Sequence, residues 1–103
     1  MASTKGYLDY ILEQLSGVPD ITFRGMMGEY ILYCQGKIFG GIYDDRLLVK
    51  PTAAAKALMP EAPYELPYEG AKEMLLVEET DDPEYLRRLI AAMLPELANL
   101  KKK

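Results

Sequence analysis

Residues 23–51 read FRGMMGEYILYCQGKIFGGIYDDRLLVKP, and the period-two alternation of this stretch, broken by two-residue turns, decides the fold. The turns fall at Gln35-Gly36 and Asp44-Asp45, each of the length that joins adjacent antiparallel strands. That spacing sets a register in which Tyr33 faces Ile38, Ile31 faces Gly40, Ile42 faces Leu47 and Gly40 faces Val49. Successive side chains on a strand point to opposite faces, so one side is expected to hold Ile31, Tyr33, Ile38, Ile42, Leu47 and Val49, and to be the core side. The other side would carry Tyr30, Leu32, Cys34, Lys37, Phe39, Gly41, Tyr43, Arg46, Leu48 and Lys50. This second set is too polar for a core and too aromatic for an idle surface, and is the face expected to carry function. Gly40 is expected to admit a helix on the core side, and Gly41 to leave a shallow spot among Tyr30, Leu48 and Phe39, either a pocket or an adjustment of twist.

Working outward, Ser3 is a candidate N-cap for a helix whose stripe is Tyr7, Leu8, Ile11, Leu12 and Leu15, with Gly17 and Pro19 stopping it. Ile21 to Met27 reads as a short strand or extended lead-in, loosened by Gly25 and Gly28. Beyond Pro51, Thr52 caps a short alanine-rich helix through Met59, ended by Pro60. The segment PEAPYELPYEG, 60–70, repeats Pro-Tyr-Glu and is expected to be an ordered loop or irregular edge, because its prolines forbid a helix. Met74 to Val77 reads as a strand. Asp82 followed by Pro83 then opens a helix with the stripe Leu86, Leu89, Ile90, Met93, Leu94 and Leu97, which Pro95 breaks near Leu94. The order is α-β-β-β(-β)-α-β-α, an α+β pattern of one antiparallel sheet with helices on one face.

The 103 residues fit one domain over 1–100, followed by a basic tail at 101–103. One cysteine and no histidine exclude an internal disulfide and remove the commonest zinc ligand and general base together. No catalytic set, metal or cofactor is expected, and Cys34 reads as a small apolar filler. No secretory leader is evident, and no apolar run approaches the ~20 residues that span a bilayer, so a cytoplasmic protein is expected. Net charge is −4, and setting aside the three terminal lysines leaves 9 basic against 16 acidic residues. That balance argues against broad nucleic-acid binding, whose affinity comes mostly from cations on phosphates. The charge is polarised: residues 24–50 hold four basic and three acidic side chains, whereas 61–84 hold nine acidic and only Lys72.

Asp44 and Asp45 are best read as turn residues, since neighbours in a hairpin turn point apart and a hard cation wants more oxygens. Arg46, opposite Tyr43, is expected to stack on that ring or to bond the turn aspartates. Met26-Met27 reads as a gap-filler at a strand end rather than an adaptable pocket lining. The candidate binding residues are Arg24, Tyr30, Lys37, Phe39, Tyr43, Arg46 and Lys50. Rings among cations suit a protein interface, in which Tyr and Arg are favoured anchors. They also suit single-stranded nucleic acid or a small ligand. The acidic body favours a protein partner, or a second copy, and an enzyme using Arg24 and the acidic residues ranks last.

The motifs R-x-M-x-G-x-x-x-x-Y at 24–33, G-K-x-x-G-x-x-x-D-D-R-L-x-x-K-P at 36–51 and P-Y-E-x-P at 63–67 make the chain resemble the TfoX (Sxy) N-terminal domain family across nearly its whole length. The resemblance implies a two-layer fold like that of secretion chaperones. It also implies a non-enzymatic regulatory or adaptor role, because these regulators of bacterial competence genes act with the cyclic-AMP receptor protein. The full-length regulators carry a second, helical domain, and direct DNA binding is not expected without it. The implied partner is a protein, with the transcription machinery a candidate.

Overall fold

The computed structural model describes residues 3–97. Thr4, in extended backbone, accepts from the Tyr7 amide at 3.1 Å and starts α1, Lys5–Gln14. The cap is thus one residue later than expected, because the Ser3 hydroxyl is committed elsewhere, to the Glu29 carboxylate at 2.6 Å. Leu8, Ile11 and Leu15 on the predicted stripe are buried, while Tyr7 and Leu12 pack at its margin.

Four strands follow: β1 Ile21–Met26, β2 Glu29–Cys34, β3 Lys37–Ile42 and β4 Leu47–Val49. Three two-residue turns join them, and both central residues of each have positive φ: Met27 and Gly28 at 54° and 86°, Gln35 and Gly36 at 56° and 77°, Asp44 and Asp45 at 54° and 56°. This is the type I′ geometry, whose twist matches that of the flanking strands. Two of the turns stand where the sequence places them; Met27-Gly28 is a third, not anticipated as a turn.

The register between β3 and β4, Gly40 with Val49 and Ile42 with Leu47, is as read from the sequence. Between β2 and β3 it is not. Tyr33 does face Ile38, but Leu32 then faces Gly40 and Ile31 faces Gly41, so one extra residue, Phe39, is inserted in β3. A bulge of one residue exchanges the faces of everything beyond it. Tyr30, Leu32 and Cys34 therefore lie on the helix side with Ile42, Leu47 and Val49, and Phe39 turns into the same core. Ile31, Tyr33 and Ile38, expected to form the core, are only half-buried on the other side.

Thr52 accepts from the Ala55 amide at 3.1 Å and opens α2, Ala53–Leu58, as expected. The Glu96 carboxylate also receives the amides of Ala53 and Ala54 at 2.9 and 3.0 Å. The proline-rich stretch contains a two-residue strand, β5 Tyr64–Glu65, beside β6 Met74–Leu76. The sheet has six strands in the order β1-β2-β3-β4-β6-β5, which places β5 at an edge, where flanking prolines remove no ladder bond. Asp82 caps α3, Pro83–Met93, and Pro95 turns the chain into a short 3₁₀ helix, Leu94–Glu96. Helices α1 and α3, with Ala55 of α2, cover one face of the sheet, giving the two-layer α+β fold expected. The basic tail at 101–103 lies outside the described residues. No described helix is long and apolar enough to cross a membrane.

The glycine pair has a different purpose from the one expected. A Cβ on Gly40 would sit 2.9 Å from the Val49 Cα and closer still to the Leu48 carbonyl oxygen, so Gly40 makes room for a strand, not a helix. At Gly41 the open spot is filled by the Tyr43 ring, whose Cε2 would lie 2.6 Å from such a Cβ.

Candidate functional site

The side of the sheet away from the helices is partly roofed by residues 66–69, which follow β5. Arg46 holds them there: its Nε donates to the Tyr43 carbonyl at 3.0 Å, Nη1 to Glu65 at 2.6 Å and Nη2 to the Leu66 carbonyl at 3.2 Å. Pro67 is buried, and the Tyr68 ring lies 6.1 Å from that of Tyr43. Tyr43 is buried beside this cover, and Leu48 is buried as well, although neither belongs to the helix-side core. Burial pushes the Tyr43 phenol above its ordinary pKa, with the neighbouring Tyr68 phenol adding to the rise. Arg46 is thus a fastener and bonds neither turn aspartate, contrary to expectation. Arg46→Ala should cost about 1–2 kcal/mol. Hydrogen exchange should accelerate at residues 64–68 while β2 and β3 stay protected.

Between this stretch and the Met27-Gly28 turn lies a cleft of about 720 Å³. Its apolar lining is Met26, Met27, Leu66, Pro67 and Tyr68 around the buried Tyr43, and its charged groups are Glu29, Asp44, Glu69 and Arg46. Met27 is 94% exposed, and Met26, Leu66 and Tyr68 are also exposed, so four large apolar side chains crowd one opening. A hollow of about 350 Å³ on the far side of Tyr43 and Tyr68 reaches Ile38, Lys50, Lys72 and Glu73.

Hydrogen bonds at the end of the sheet hold the rim of the cleft. Glu29 Oε1 accepts from the Ser3 hydroxyl and, at 3.0 Å, from the Asp44 amide. Asp45 Oδ1 accepts from the Thr4 amide at 2.8 Å, the Ser3 hydroxyl accepts from the Asp45 amide at 3.0 Å, and the Ser3 amide donates to the Gly28 carbonyl at 3.0 Å. Two hairpin turns and the start of α1 are thereby one unit. The turn reading of Asp44-Asp45 accounts for this geometry.

The seven residues singled out from sequence separate into two groups. Tyr43 and Arg46 line the cleft, and Lys50 lies in the adjoining hollow. Arg24 is exposed on β1, opposite Ile31 and on the same side of the sheet. Tyr30, Lys37 and Phe39 are on the opposite side: Tyr30 packs on the core edge-on to Phe23, ring centroids 6.0 Å apart, Lys37 pairs with Cys34, and Phe39 is fully buried. The bulge at Phe39 is the reason. Cys34 is itself buried, which raises its thiol pKa, with the charge of Asp20 adding to the rise, as befits a filler. Met26-Met27, read as a gap-filler, fills no gap: both are exposed and line the cleft, because the two-residue turn puts Met27 at its tip. Missed were Leu66, Tyr68 and Glu69. For the methionines the available signal was Gly28 between two segments of strand-like residues, since glycine supplies the positive φ a tight turn requires. For the others no local signal existed.

The sequence model of the TfoX N-terminal domain matches residues 13–94. A protein of Spirochaeta aurantia described as an uncharacterized 12.7 kDa protein in the trpE 5′ region is 33% identical over 99 residues, covering 92% of this chain and 86% of that protein. No solved structure matches the chain.

Proposed function

Because the chain belongs to the TfoX N-terminal domain family, we propose that it is a regulatory adaptor module that binds a protein partner in the cleft between Met27 and Tyr68. The observation that carries this reading is Met27. Its backbone is left-handed at φ 54°, a region that costs an L-residue other than Gly, Asn or Asp roughly 1 kcal/mol. Its side chain is almost wholly in water, so it returns no burial to the fold. The left-handed backbone is what the type I′ turn demands, as it is at Gln35; what sets Met27 apart is a large apolar side chain held in water beside the exposed Met26, Leu66 and Tyr68, a patch suited to a partner. Methionine is suited to such a contact, being flexible and polarisable. The nucleic-acid alternative needed Tyr30, Phe39 and Tyr43 on one face among Lys37, Arg46 and Lys50, and the bulge divides that set. A small ligand is the second reading, since the cleft volume lies in the range of about 300–1,000 Å³ found for ligand pockets.

The test is Met27→Asn combined with Tyr68→Ala. Asn accepts the left-handed backbone, so the turn should hold or gain about 0.5 kcal/mol, and an exposed ring is lost from the surface. Proteins captured from lysate by the wild-type chain should be lost from the double variant at unchanged melting temperature. Capture that survives the two substitutions removes the cleft from consideration; no captured protein, with a metabolite retained instead, favours the small-ligand reading. Neither Arg46 nor Tyr43 serves as such a control, because both hold the local structure together.

A further inference from the structure

Building on the adaptor reading, we infer that the cleft takes a basic segment of the partner protein: one large apolar side chain seated against Met27 and Tyr68, flanked by lysine or arginine. The charges at the rim point this way. Glu29, Asp44 and Glu69 line the opening, and the only cation lining it among the described residues, Arg46, is already bonded to Glu65 at 2.6 Å and to two carbonyl oxygens. Asp44 and Glu69 are exposed, so their charges are presented to an arriving ligand. The Glu29 carboxylate is fixed in place, the Ser3 hydroxyl and the Asp44 amide both donating to one oxygen, Oε1. An apolar floor within an acidic rim is complementary to an apolar anchor between cations, and opposes an acidic segment by like-charge repulsion. The seat suits a range of anchors, since methionine adapts to irregular shapes and Tyr68 offers a ring face to an adjacent cation.

The experiment selects phage-displayed random heptapeptides on the immobilised full chain and measures the enriched peptides by fluorescence polarisation at low and high salt. Wild-type protein, Met27→Asn and Asp44→Asn/Glu69→Lys are compared, each checked by circular dichroism. Asn is chosen at Asp44 because φ there is 54°. The expected result is enrichment of peptides with one Leu, Met or Phe beside two or more Lys or Arg. Their binding should weaken about tenfold or more in the charge variant and in high salt, and also on Met27→Asn. Enriched peptides that depend on Met27 but carry no cations, or carry acids, would overturn the basic-segment inference and leave the adaptor reading standing. Absence of any Met27-dependent peptide would overturn both.

Discussion

Gly40→Ala is expected to leave little folded protein. One methyl group placed there meets backbone: the Val49 Cα at 2.9 Å and, nearer still, the Leu48 carbonyl oxygen. A flexible side chain could swing aside, but these atoms belong to β4, which is paired to β3 on one edge and β6 on the other. Relief requires β3 and β4 to separate in the middle of the sheet, at a cost of at least about 4 kcal/mol, the range reserved for severe steric or core defects. A domain of this size holds roughly 5–15 kcal/mol in total. Gly6→Ala is the matched control. It adds the same methyl group in α1, where nothing lies within 4 Å, and should stabilise the chain by about 0.5–1 kcal/mol through helix propensity. Urea denaturation of the two variants should move the midpoint in opposite directions. Equal and mild effects would show that the β3–β4 approach is looser than the distances state.

Phe39→Ala should be nearly as damaging, and by a different route. The ring is fully buried in the helix-side core, where removing a phenyl group typically costs about 3–5 kcal/mol. Phe39→Leu, which keeps most of the volume, should cost less than about 1.5 kcal/mol. The pair also reports on the bulge. Were Phe39 on the face occupied by Tyr43, as uninterrupted alternation implies, truncating it would remove nothing from the helix-side core and should cost clearly less than about 3–5 kcal/mol. A Phe39→Ala variant with wild-type denaturation would therefore refute the shifted register between β2 and β3.

Much of the architecture was legible because it rests on local chemistry. The stripe of α1, the Thr52 and Asp82 caps, the break at Pro95 and the Gln35-Gly36 and Asp44-Asp45 turns each depend on residues within one or two helical turns or one hairpin. The error in the sheet faces came from a single insertion. Alternation assumes one residue opposite one, and nothing in the string Lys37 to Ile42 marks Phe39 as the extra member; the insertion shows only in the pairing of β2 with β3. Three candidates, Tyr30, Lys37 and Phe39, moved to the helix side for that reason alone.

Local sequence carries the helices, strands β2, β3, β4 and β6, the hairpin register of β3 with β4 and the family, and it removes histidine from any chemistry. Which face meets the helices, and what stands beside Tyr43, follows from long-range packing alone. The cleft joins the turn at Met27 to residues 66–69, some forty positions onward, through Arg46 and Glu65. Such a contact depends on how β5 and β6 complete the sheet, and that information is spread over the whole chain, with no short stretch of residues recording it.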